Sequence, residues 1–211
     1  MAGLLDLLNS DLGKQMISGV SKQTHQPEEK TAGVLSMAMP VLMAAMKKNA
    51  STPEGAQGLM SALSNKHNGS ILDNLGGLFD GGVDESVTND GAGILGHILG
   101  NKQSAVESTL SAKSGMDTGA ISQILKVAAP LLMGVIGKQT QQGSVNSASG
   151  LTTLLGSMLG GQPNENQSLI TSLIDADGDG SVLDDVAGMV LGSNKGKGDG
   201  IGGMLGGLFG K

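Results

Sequence analysis

The chain contains no cysteine, no arginine, no tryptophan and no tyrosine, and phenylalanine occurs only at Phe79 and Phe209. Without cysteine there are no disulfides, no thiolate metal sites and no thiol catalysis. Without arginine no side chain grips a phosphate or carboxylate with a planar fork. The thirteen basic residues, all lysines, face nineteen acids, so the net charge of −6 repels nucleic acid overall. Two aromatic rings also give bases almost nothing to stack on. The core must therefore be Leu, Ile, Val, Ala and Met, and twelve methionines suit irregular gaps in such a core.

No targeting segment is legible. The N-terminus, MAGLLDLLNSDLGKQ, carries an acid where a secretory signal needs basic residues. A soluble cytoplasmic protein is the expectation, with export by a route lacking a cleavable signal left open. No run reaches the ~20 apolar residues that a bilayer requires.

What the chain does have is a stretch that recurs. Val34 to Met46, VLSMAMPVLMAAM, is apolar, carries Pro40 near its middle and is closed by Lys47 and Lys48. Ile124 to Ile136, ILKVAAPLLMGVI, places Pro130 at the equivalent position. Aligned without gaps, residues 1–48 share eleven identities with 91–138, among them Pro40/Pro130, Leu42/Leu132, Met43/Met133 and Lys48/Lys138. Further on, Leu59 to Phe79 matches Ile170 to Val190, with an insertion around Gly150 to Asn166 that reads as one extra helix bearing Leu151, Leu154, Leu155 and Met158. This pattern points to an internal duplication.

The rest of the chain reads as helical and without alternating strand patterns. Residues 1–26 form one helical stretch through Leu5, Leu8, Leu12, Met16 and Val20. Pro27-Glu28-Glu29 and Thr52-Pro53-Glu54 are helix starts, with proline and acids where the dipole favours them. Pro40 cannot donate to the carbonyl of Ser36, which predicts a kink or a split in its helix. The expected fold is thus all-α: a duplicated bundle of short helices with an EF-hand-like acidic loop in the second repeat and a Gly-rich tail. Its parts are a first repeat (1–80), an acidic linker (81–90), a second repeat (91–192) and the tail (193–211). Gly202, Gly206 and Gly210 recur four apart in that tail, which suits either close helix approach or simple fraying.

The one stretch carrying metal chemistry is Asp175-Ala-Asp-Gly-Asp-Gly-Ser181. Asp175, Asp177 and Asp179 stand at positions 1, 3 and 5 of a calcium loop, Gly180 at the turn, and Ser181 at the position that offers a backbone carbonyl. Position 12, normally a bidentate glutamate, is Val186, so Asp184 or Asp185 would have to close the shell. Imperfect closure implies an affinity of about 10⁻⁵ to 10⁻³ M. Five acids in eleven residues repel one another without a cation. The competing readings are a solvated acidic turn without metal, and magnesium or an adventitious ion.

Other chemistry is thin. His25, His67 and His97 lie in unrelated elements without partners at ligand spacing. No G-x-S-x-G or phosphate-loop motif occurs, and Gly198-x-Gly-x-x-Gly203 lacks the strand that would make it a dinucleotide site. With no convergent acid, base and nucleophile, no enzymatic activity is expected.

The N-terminal GLLDLL, the proline-centred helices (AMPVLM, AAPLLMG) and LIDADGDGSVLDDVAGM resemble the bacterial family called domain of unknown function 937, similar to the YidB-like helical fold. The resemblance implies an all-helical bacterial protein and supplies no catalytic residues. The expected role is an interaction or scaffold module, partner unknown or a second copy, with one structural calcium loop. The alternative is a membrane-associating or self-assembling protein that uses its Met- and Gly-rich helices and tail.

Overall fold

The computed structural model describes residues 4–80, 83–160 and 163–174, and among these there is no strand. In chain order the helices are α1 (Leu4–Asn9), α2 (Asp11–Thr24), α3 (Glu28–Asn49), α4 (Pro53–Asn65), α5 (Leu75–Phe79), α6 (Glu85–Leu99), α7 (Gln103–Ser114), α8 (Thr118–Gln142), α9 (Ala148–Leu159) and α10 (Asn164–Ile174). Two 3₁₀ segments, Ser70–Asn74 and Gly100–Lys102, lead into α5 and α7.

The breaks between helices are written in capping side chains. Ser10 Oγ accepts the Gly13 N–H at 3.2 Å, so the helical stretch expected over residues 1–26 divides into α1 and α2. Thr52, Asp117 and Ser147 cap α4, α8 and α9 in the same way, at 3.1, 2.9 and 3.2 Å. Asp84 caps α6, whose start at Glu85 lies inside the stretch read as an acidic linker. The extra helix foreseen around Leu151 is α9, and its four named apolar residues are all buried.

α3 and α8 form the centre. Along α3 every residue from Ala38 to Met46 is buried, and along α8 every residue from Val127 to Gly137. Burying a Leu, Ile or Met of this kind contributes about 1.5–3 kcal/mol, so the two stretches dominate the hydrophobic stabilisation. α8 is, among the described residues, the one helix long and apolar enough to cross a bilayer. Yet 78% of its most apolar window is covered by other helices.

Neither proline divides its helix; α3 and α8 run unbroken through Pro40 and Pro130. Each proline removes the donor for the carbonyl four residues earlier. At Ser36 that carbonyl accepts instead from Asn166 Nδ2 of α10, at 3.2 Å. At Lys126 it faces Gly91 of α6, so closely that a methyl group at Gly91 would overlap it. α10 is tied to α3 a second time, where Lys48 Nζ donates to the Ile174 carbonyl at 3.3 Å. The two helices therefore run in the same direction.

These contacts correct the expectation of a duplicated bundle. A repeat of residues 1–80 would close its core around α3, and a second would close around α8. Instead α10 and α9, from the second half, pack on α3, whereas α4 and the Ser70–Asn74 segment, from the first half, pack on α8. α2 also reaches α8, and α6 and α7 reach α3. Sequence similarity between the halves thus yields one shared core rather than two repeated bundles.

Two consequences are measurable. In α6, Gly91→Ala is expected to cost about 2–3 kcal/mol in urea unfolding, because the methyl meets backbone that cannot turn aside. Gly93→Ala, with nothing within 4 Å of the new methyl, is expected to add about 0.5–1 kcal/mol by relieving helix entropy. A fragment of residues 1–90 should show neither a cooperative thermal transition nor dispersed amide resonances, since α3 would lose most of its cover. A folded fragment would restore the two-bundle picture.

Candidate functional site

Two lysines converge on Ile174, the last described residue of α10. Here the Ile174 carbonyl accepts from Lys48 Nζ at 3.3 Å and from Lys102 Nζ at 2.7 Å. The two lysines come from the end of α3 and from the Gly100–Lys102 turn. With Ala45, Asn49, Ile98, Leu99, Asn101 and Ile174 they line a shallow cleft of about 210 Å³. Asn49 adds a buried Oδ1 that has no hydrogen-bond partner.

This arrangement bears on the calcium reading. The expected ligands, Asp175, Asp177, Asp179, Ser181, Asp184 and Asp185, lie outside the described residues. Among the described residues no group of three or more His, Asp or Glu side chains stands together as a metal site. The calcium ion, the EF-hand-like loop and the calcium-scaffold function built on them are corrected by that finding. Loop spacing alone does not specify a metal site, because the shell also needs a closing ligand, and position 12 here is Val186.

A second cleft, about 230 Å³, is lined by Asn68, Gly69, Ser70, Asp73, Lys138 and Gln141. Its one ion pair, Lys138 Nζ to Asp73 Oδ1 at 3.3 Å, joins two solvent-exposed side chains. Such pairs are worth about 0–1 kcal/mol.

The three histidines fall in different surroundings. His25 closes α2 in the left-handed conformation, with φ 53°, while Ser21 Oγ donates to the Gln26 carbonyl across the turn at 2.6 Å. His97 is exposed on α6. His67 is buried, with Nε2 3.5 Å from Asp90 Oδ2. Lys66 Nζ donates to the other oxygen of the same carboxylate. Burial lowers the His67 pKa below the usual 6.5; the Asp90 carboxylate partly offsets this, and the Lys66 ammonium adds to it. Sequence reading gave His67 no partner, because Asp90 sat in a stretch taken as linker and nothing in the spacing joins the two.

A family model described as bacterial protein of unknown function (DUF937) matches residues 6–139 and 140–211. No curated protein and no solved structure matches the chain.

Removal of metal is expected to leave the protein unchanged. A bound ion would stabilise the fold by ~1.4 kcal/mol for each tenfold excess over its Kd. Calorimetric melting of the full chain, in chelator and then in millimolar calcium, should therefore give the same Tm within about 1 °C, since a shift of 1 kcal/mol moves Tm by about 2–4 °C at this size.

Proposed function

We propose, from the premise that the chain belongs to the bacterial DUF937 family, that it is a non-catalytic helical module that works by binding another protein chain. The observation that carries this reading is the size of the concavities. The clefts beside Lys48–Lys102 and beside Lys138, about 210 and 230 Å³, fall below the ~300–1,000 Å³ that small-molecule sites occupy. The polar side chains of the second cleft are solvent-exposed, its Lys138–Asp73 pair included. The His67 ring, whose pKa is lowered by burial, belongs to a buried junction and to neither cleft.

A second chain needs no deep pocket; it docks on helix faces and grooves. Such faces are available here, because α4, α7 and α9 each turn a polar side to solvent while their apolar side is held in the bundle. The burial of α8 supports work in solution and a cytoplasmic setting over insertion into lipid.

Cross-linking mass spectrometry on the full chain in a lysate of its source bacterium tests the proposal. The expected result is one saturable protein partner whose cross-links fall on exposed helix faces, together with no co-sedimentation with liposomes. An activity in a broad substrate screen that is lost in Lys48→Ala or Lys102→Ala, at unchanged Tm, would replace this reading with an enzymatic one.

A further inference from the structure

His67 is 6% exposed and stands where the chain leaving α4 crosses between α6 and α8. Its backbone is fixed on both sides. The His67 N–H donates to the Ala62 carbonyl at 2.9 Å, and its own carbonyl lies against Gly137 of α8, where a methyl group would overlap it. Gly69, two residues on, has φ 101° and rests on Lys138 Cβ. Asp90, which receives the imidazole side, immediately precedes Gly91, the residue seated on the Lys126 carbonyl. One buried ring thus joins the exit of α4, the first half of α6 and the apolar face of α8.

We propose that this junction is an acid-operated clasp, closed while the His67 ring is neutral and released when the ring takes a proton, freeing the Lys66–Asn68 loop from α6 and α8. Protonation is opposed by two features and favoured by one. A cation on a ring this buried loses its hydration. The Lys66 ammonium repels it and already occupies the carboxylate that would neutralise it. Asp90 attracts it at 3.5 Å. Burial is the largest of the three effects, so the closed form holds the neutral ring.

The remaining charges nearby do not reverse this balance. α8 turns the backbone of Lys126 toward the junction, and Lys138 is paired with Asp73 at 3.3 Å. His97, further along α6, is exposed.

The sign of the pH dependence follows from proton counts. Between the lowered pKa of the closed ring and the ordinary 6.5 of a free one, the open state binds more protons than the closed state. The clasp is therefore at full strength above pH 6.5 and weakens as the pH falls through that value. Leu63 and Leu72, 2% and 8% exposed and flanking the loop in sequence, are the apolar side chains that release would uncover.

Histidine-ring NMR and amide hydrogen exchange on the full chain, from about pH 8 down to about pH 5, test the clasp within the range where histidine titrates. His67 is expected to titrate below the ordinary 6.5. Exchange at residues 62–69, corrected for intrinsic chemistry, should speed up about tenfold or more at the acid end, while amides of α3 stay protected. His67→Gln should abolish that acceleration. Lys66→Met, at a solvent-exposed position that leaves the core untouched, should raise the His67 midpoint and reduce the acceleration. A His67 midpoint at or above 6.5 would overturn the proposal. So would acceleration that persists in His67→Gln, or, if that variant does not fold, a midpoint unmoved by Lys66→Met.

Discussion

Two carbonyls deprived of their helical donors set the way this bundle is assembled. Pro40 and Pro130 each stand inside the most buried stretch of a long helix, where a backbone group without a partner is costly. The helices are not divided by them. Other helices come to them instead: α10 brings the Asn166 carboxamide to Ser36, and α6 brings Gly91 to Lys126. In a core this poor in aromatic rings, directional contacts of this kind supply registry that aliphatic packing alone leaves loose. The first of them also joins the halves, since the group that serves the Ser36 carbonyl lies in the other half of the chain.

Two lysines also meet α10. The chain as a whole is acidic, yet Lys48 and Lys102 both donate to the Ile174 carbonyl. The contact serves the fold first, by tying α3, the turn before α7 and α10 into one corner. What remains at that corner is a shallow cleft rather than a reaction chamber, and this is why a binding role on helix surfaces fits the molecule better than catalysis.

Local structure was largely legible in the residues, and long-range pairing was not. The apolar stretches of α3 and α8, the helix start at Thr52-Pro53-Glu54, and α9 with Leu151, Leu154, Leu155 and Met158 all follow from neighbours in sequence, and they stand in the structure. The break at Ser10 was hidden because Leu5 to Val20 keeps helical spacing across it. The donor to Ser36 could not be read, since Asn166 is an ordinary polar residue with no pattern that links it to Pro40. The calcium reading of Asp175 to Asp185 went beyond what spacing carries: the alternating carboxylates are plain in the sequence, but the closing ligand is missing at Val186, and no metal-ligating cluster stands among the described residues. A repeat in sequence likewise specifies similar helices without specifying which helices they pack against.

The two proline-freed carbonyls are not served equally, and the difference locates the weaker seam. Ser36 accepts a true N–H donor, worth about 0.5–1.5 kcal/mol net and well directed. Lys126 faces a glycine that offers only C–H groups, a contact of the weaker kind. The α6–α8 seam therefore depends more on what stands beside Gly91, and the residue beside it is Asp90, with His67 and Lys66 on its two oxygens. On the α3–α10 side the equivalent work is done by Asn166, whose carboxamide does not titrate. A change of pH acts unequally on two seams built around the same backbone defect. Acid loosens the α6–α8 side first and leaves α3 and α10 joined.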